Sequence, residues 1–103
     1  MSWVDVGSAA DLQESTPLSV EIDGMALLVV RCGNDIYAVD DRCTHDGEAL
    51  DGAEIESCQI ICPRHGARFC LRTGEALTPP AYEPLGTFEV RTENGRILVA
   101  QPE

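Results

Sequence analysis

The sequence predicts an all-β fold, an antiparallel β-sandwich or barrel with a small subdomain inserted between its strands. Three observations carry this expectation. Turn dipeptides recur at short intervals, at Asp23-Gly24, Gly33-Asn34, Asn94-Gly95 and, less strongly, Thr73-Gly74, and several suit two-residue hairpins that need positive φ. The runs between them have strand length. Two of the runs alternate apolar and polar residues with the period of a half-buried strand, and the stretch from Asp41 to Gly74 differs, rich in Gly, Cys, His and charge with little sustained apolar periodicity.

Along the chain, Ser8 to Leu12 opens on a candidate cap, Ser8, and is the stretch suited to a helical turn or two. Strands are expected over Leu18 to Ile22, Met25 to Cys32, Asp35 to Asp40, Gln59 to Cys62, Arg68 to Leu71, Thr87 to Arg91 and Arg96 to Ala100. Leu18, Val20 and Ile22 oppose Ser19, Glu21 and Asp23, and Phe88 and Val90 oppose Glu89 and Arg91. The run MALLVV, Met25 to Val30, fits one buried strand or a short helix and falls far short of the about 18 apolar residues of a membrane span. Residues 41–74 read as loops built around something, a subdomain within one domain covering 1–103. The segment TPPAYEP, Thr78 to Pro84, is expected to be a stiff surface loop, because its prolines cannot donate to a central ladder.

The 103 residues are enough for one core. A hydrophobic fraction of 44% and a charged fraction of 24% are those of a folding chain. The N-terminus has neither the positive start nor the apolar stretch of a secretory signal, so the expected compartment is the cytoplasm. There a disulfide framework would be unusual, which leaves metal ligation or packing for the five cysteines. Eighteen carboxylates stand against seven arginines and no lysine, for a net charge of −11. Nucleic acid is therefore not an expected partner. Such a chain is expected to be soluble and monomeric, and steered toward basic patches at rates that fall with salt.

Both histidines and four of the five cysteines fall between Cys43 and Cys70. The pattern is Cys43-Thr44-His45, then sixteen residues, then Cys62-Pro63-Arg64-His65. Each half offers one thiolate and one imidazole on a short loop, a donor set compatible with zinc or with an iron–sulfur centre. Structural zinc sites more often begin with a Cys-x-x-Cys knuckle, whereas this chain puts a Cys and a His in both halves.

The order Cys-x-His followed by Cys-x-x-His resembles the Rieske motif. The likeness extends to Thr44, Pro63, Gly66 and the following RFCLRTGEAL, and spans essentially the whole chain as a stand-alone Rieske-type ferredoxin. It implies a Rieske-like fold with a cluster-binding subdomain and one 2Fe-2S cluster per chain, with Cys43 and Cys62 on the buried iron and His45 and His65 on the outer iron at an exposed tip. Two ferric ions, two sulfides, two thiolates and neutral imidazoles sum to zero charge, so an electron is more easily added than to a four-thiolate centre. Rieske potentials, roughly −150 to +300 mV, accordingly lie above the about −400 mV of plant-type ferredoxins. The potential is expected to fall at alkaline pH as the imidazoles lose protons.

Departures from the high-potential branch of the family are informative. That branch resembles CTHLGC and CPCHGS, with a disulfide between the loops and a serine that donates to a bridging sulfide. Here Glu48 and Arg64 take the disulfide positions, Ala67 stands for the serine, and Phe69 stands where a tyrosine hydroxyl is expected. Fewer donors to cluster sulfur imply the low-potential branch that feeds oxygenases. Glu48 and Arg64 either pair across the two loops or face water. Cys32 is expected to be a small core residue, and Cys58 and Cys70 to lie outside the site. Gly47 and Gly66 would serve turns beside the ligands, and Pro79 and Pro80 the proline loop that covers the cluster.

The resemblance implies a one-electron carrier that passes electrons from a flavin-dependent reductase to a terminal oxygenase, a component of a dioxygenase system and not itself a catalyst. No spare histidines exist for a mononuclear iron triad. The alternatives are a small Rieske subunit of a nitrite-reductase-type enzyme, a ferredoxin of iron–sulfur assembly, a redox or oxygen sensor and, from another class, a zinc-stabilised interaction module. Docking is expected around His45 and His65, with Asp40, Asp41, Asp46, Glu48, Asp51, Glu54 and Glu56 bracketing the first loop and Arg64, Arg68 and Arg72 lining the second.

Overall fold

A computed structural model describes residues 2–14, 16–42, 49–50, 53–63, 66–79 and 81–101. The strands are β1 (Trp3–Ser8), β2 (Leu18–Ile22), β3 (Met25–Cys32), β4 (Asp35–Asp40), β5 (Glu54–Glu56), β6 (Gln59–Ile61), β7 (Arg68–Cys70), β8 (Thr87–Phe88), β9 (Val90–Glu93) and β10 (Arg96–Ala100). They form three antiparallel sheets, ordered β1-β10-β9, β2-β3-β4-β8 and β5-β6-β7. The expected helical turn is a single 3-10 turn, Ala9–Asp11, where the Ser8 hydroxyl accepts from the Ala10 N–H at 3.3 Å.

Hairpin chemistry sets the registers. Asp23 and Gly24 (φ 52 and 80) join β2 to β3, and Asn94 and Gly95 (φ 50 and 77) join β9 to β10. Both central residues are left-handed, as a type I′ turn requires. The expected strand over Thr87 to Arg91 is instead two strands that part at Glu89, so this segment leaves β4 and joins β10. Strands β1 and β5 were not among those expected from the sequence.

The run MALLVV lies in β3, which is buried on both faces from Leu27 to Val30. Leu27 and Val29 face a cluster with Leu12, Ile22, Ala38, Ile97 and Val99 between the first two sheets. Leu28 and Val30 face a second cluster with Val39, Ile60, Phe69 and Leu71, under the third sheet. A strand covered on both sides cannot alternate with polar residues, which is why its pattern reads as a continuous apolar run. The third sheet thus rests on the back of the second, and the loop between β6 and β7 is carried on that platform.

The structure corrects the reading of two cysteines. Cys32, expected in the core, and Cys58, expected unpaired, form a disulfide with a Cα–Cα distance of 5.7 Å. Both are half-buried. Their 26-residue separation carried no pairing signal, and the contact arises because the β5–β6 turn is seated against the end of β3.

Candidate metal centre

Residues 62–67 connect β6 to β7 past the Ile61–Arg68 pair. The Cys62 N–H donates to the Ala67 carbonyl at 2.8 Å and the Gly66 N–H to the Cys62 carbonyl at 3.0 Å. Gly66 holds φ 71, which glycine adopts without steric cost. Cys62 is only 1% exposed and sits in the apolar cluster with Leu50, Ala53, Ala67 and Ala81. As a ligand it would share its charge with a cation, so a soft, inward-facing metal ligand fits this environment.

The first ligand loop is fixed at both ends. The Asp41 N–H donates to the Ala26 carbonyl at 3.0 Å, and its carboxylate accepts from the Leu50 N–H at 2.8 Å. The Leu50 carbonyl then accepts from the Ala53 N–H at 2.9 Å. Cys43, His45 and His65 lie outside the described residues, as do Thr44, Asp46, Gly47, Glu48, Asp51, Arg64 and Pro80, and with them the question of a Glu48–Arg64 pair. Among the described residues no three His, Cys, Asp or Glu side chains gather around a point. What the fold brings together is the footing of the two ligand loops. Leu50 and Ala53, which follow the first, and Cys62 and Ala67, which bound the second, share one apolar cluster.

A third segment joins them. Ala81 and Leu85 enter the same cluster, while Pro79, Tyr82, Glu83 and Pro84 are exposed, so TPPAYEP is a surface loop nailed down by its alanine. The Leu77 N–H donates to the Arg68 carbonyl at 2.8 Å and the Thr78 hydroxyl accepts from the Arg68 N–H at 2.9 Å, holding this loop along β7. Ala67 and Phe69 are fully buried and carry no hydroxyl to offer a cluster sulfur.

The charged residues divide into structural and exposed. Burial raises the Asp40 carboxyl above its ordinary range, opposed by Arg42 and the Gly86 N–H. Arg68 lies 3.5 Å from Glu56 and 3.2 Å from the Gln59 side-chain oxygen. Arg72, expected to line the second ligand loop, does not. It follows the far end of β7 and borders a cleft with Tyr37, Ile36 and Phe88, where the Tyr37 hydroxyl is its main partner. Cys70 lies at that same end, its thiol held below the usual range chiefly by the Thr73 hydroxyl. Asp41, expected from sequence among the docking charges, instead closes the first loop through the Leu50 N–H, a role no sequence feature around it signals.

The family model for the Rieske [2Fe-2S] domain matches residues 2–89. The ferredoxin subunit of 3-phenylpropionate/cinnamic acid dioxygenase from Shigella flexneri is 37% identical over 95 residues, covering 91% of this chain and 89% of that protein. The ferredoxin component of the naphthalene 1,2-dioxygenase system of Pseudomonas putida is 31% identical over 99 residues, covering 96% and 95%. Among solved structures, the ferredoxin of carbazole 1,9a-dioxygenase from Nocardioides aromaticivorans superposes with a TM-score of 0.94 at 32% identity, covering 99% of this chain and all of that one. A chain from a complex of reduced oxygenase and oxidized ferredoxin in carbazole 1,9a-dioxygenase matches with a TM-score of 0.90 at 37% identity, covering 95% and 92%.

Proposed function

We propose, from the premise that this chain belongs to the Rieske [2Fe-2S] domain family, that Cys43, His45, Cys62 and His65 hold its cluster. The protein is the ferredoxin component of a dioxygenase system, an electron carrier and not the catalyst. The observation that supports the ligand assignment is the shared apolar footing of the two loops, with Leu50 and Ala53 after the first and Cys62 and Ala67 bounding the second, while the sequence of each loop carries one Cys and one His. When bound, the cluster takes up and gives up one electron at a potential raised by its neutral imidazole ligands.

The chain's own residues do the rest. Cys62 would hold the cluster from within the apolar cluster it shares with Leu50, Ala53 and Ala67, which would keep water from its sulfur. The Asp41 carboxylate, accepting from the Leu50 N–H, ties together the two ends of the first loop. The absence of a hydroxyl at Ala67 and Phe69 favours the low-potential branch. The reductase that loads the electron and the oxygenase that takes it are assigned to docking at the ligand tip, with a flavin-dependent reductase upstream. Monomeric action in the cytoplasm fits a net charge of −11 and the lack, among the described residues, of a helix able to cross a membrane.

The function is tested by mixing the chemically reduced protein, without oxygen, with its cognate terminal oxygenase. Re-oxidation of the carrier matched by reduction of the oxygenase supports the assignment. A carrier that stays reduced, with an oxygenase that accepts electrons from another source, overturns it.

A further inference from the structure

The Cys32–Cys58 bond lies in a telling position. Cys32 ends β3 and Cys58 occupies the second central position of the two-residue β5–β6 turn. Ser57 and Cys58 hold φ 51 and 59, the left-handed pair that Asn-Gly adopts most readily. A cysteine there carries a steric penalty that glycine would avoid, so its sulfur offsets what its backbone loses. The Cα–Cα distance of 5.7 Å lies within the range of an ordinary disulfide. Both residues are half-buried, within reach of small thiols.

The segment closed by this bond contains Cys43 and His45, and Cys62 follows Cys58 along β6. The link therefore fixes both ends of the segment bearing the first ligand pair, and the start of the strand that delivers the second. Ile60, Phe69 and Leu71 pack on Leu28, Val30 and Val39 without needing the bond, so its loss loosens the turn while the subdomain keeps its seat.

We propose that Cys32 and Cys58 form a reversible disulfide that sets how firmly the chain retains its cluster. The inference rests on the ligand assignment above. In the locking step the two thiols exchange with a low-molecular-weight disulfide. One S–S bond forms in the protein, one breaks in the reagent, and two electrons and two protons leave with the two thiols released. A dithiol reverses the step and is itself closed to a disulfide.

The test has two parts. Holoprotein treated with oxidised glutathione, then denatured and alkylated, is expected to take two fewer alkyl groups than protein treated with dithiothreitol, the missing two mapping to Cys32 and Cys58. Chelator-driven bleaching of the visible absorption is then timed for both forms, alongside Cys32→Ala and Cys58→Gly, the second of which also relieves the turn. We expect the wild type to bleach roughly tenfold faster once reduced, and both variants to bleach at the fast rate whatever the treatment. One rate for the wild type with the bond formed and broken, or alkylation of both cysteines after oxidation, overturns the inference. A chain that takes up no iron and sulfide at all refutes the ligand assignment and this inference with it.

Discussion

Asp41 holds the first ligand loop closed by accepting the Leu50 N–H. Asp41→Ala leaves that partly buried donor without its charged acceptor. A loss of about 1.5 to 3 kcal/mol in unfolding free energy is expected, together with faster cluster release, and urea titration of the apoprotein separates the first effect from the second. Cys70 offers a finer test. Its thiol is held down chiefly by the Thr73 hydroxyl, so Thr73→Val is expected to slow iodoacetamide alkylation of Cys70 near neutral pH by about two- to fivefold. At this scale the Cys-x-His and Cys-x-x-His spacing of Cys43, His45, Cys62 and His65 stands in the sequence itself, and the proposed ligand set rests on it. The Cys32–Cys58 pairing was not legible there, since only the folded chain brings those residues together.

Among the elements, the turns divide by whether space or backbone angle restricts them. Gly95 has φ 77 and open space around it, whereas Gly74 has φ 79 and an added Cβ would run into the Leu85 carbonyl. Gly95→Ala is expected to cost about 1 to 2 kcal/mol and Gly74→Ala about 3 kcal/mol or more, measured by thermal unfolding. Equal losses would show that the Gly74–Leu85 contact yields easily. Strand β1 is pinned to β10 by Asp5, whose carboxylate accepts from two nitrogens of Arg96 at 3.0 Å, and is linked to β9 by Arg91 lying 4.5 Å over the Trp3 ring. The hydrogen bond to Arg96 holds the Asp5 carboxyl below its ordinary range. Its stabilisation is thus complete above about pH 4 and lost as pH falls through the lower folded value. Asp5→Asn is expected to flatten the acid side of the melting-temperature profile and leave its neutral shape unchanged. Hairpin strands were legible because their turns use Asp-Gly and Asn-Gly. Strand β5 was hidden by its Ser57-Cys58 turn, and β1 by pairing with the distant β10.

For the whole molecule, one doubly buried strand joins two apolar clusters, and the ligand loops stand on the second. The loop closed by the Cys32–Cys58 bond corresponds to about 3 to 4 kcal/mol of denatured-state restriction, enough to matter in a domain of this size. A net charge of −11 is expected to steer the carrier to basic partner surfaces, with association slowing about tenfold between low and high salt. A rate indifferent to salt would contradict electrostatic steering. We propose that two cysteines and two histidines hold one 2Fe-2S cluster. This assignment is tested most directly by pulsed electron paramagnetic resonance of the reduced protein, where hyperfine coupling to the nitrogens of two imidazoles is expected. A paramagnetic cluster without nitrogen coupling, or no paramagnetic cluster at all, would contradict it.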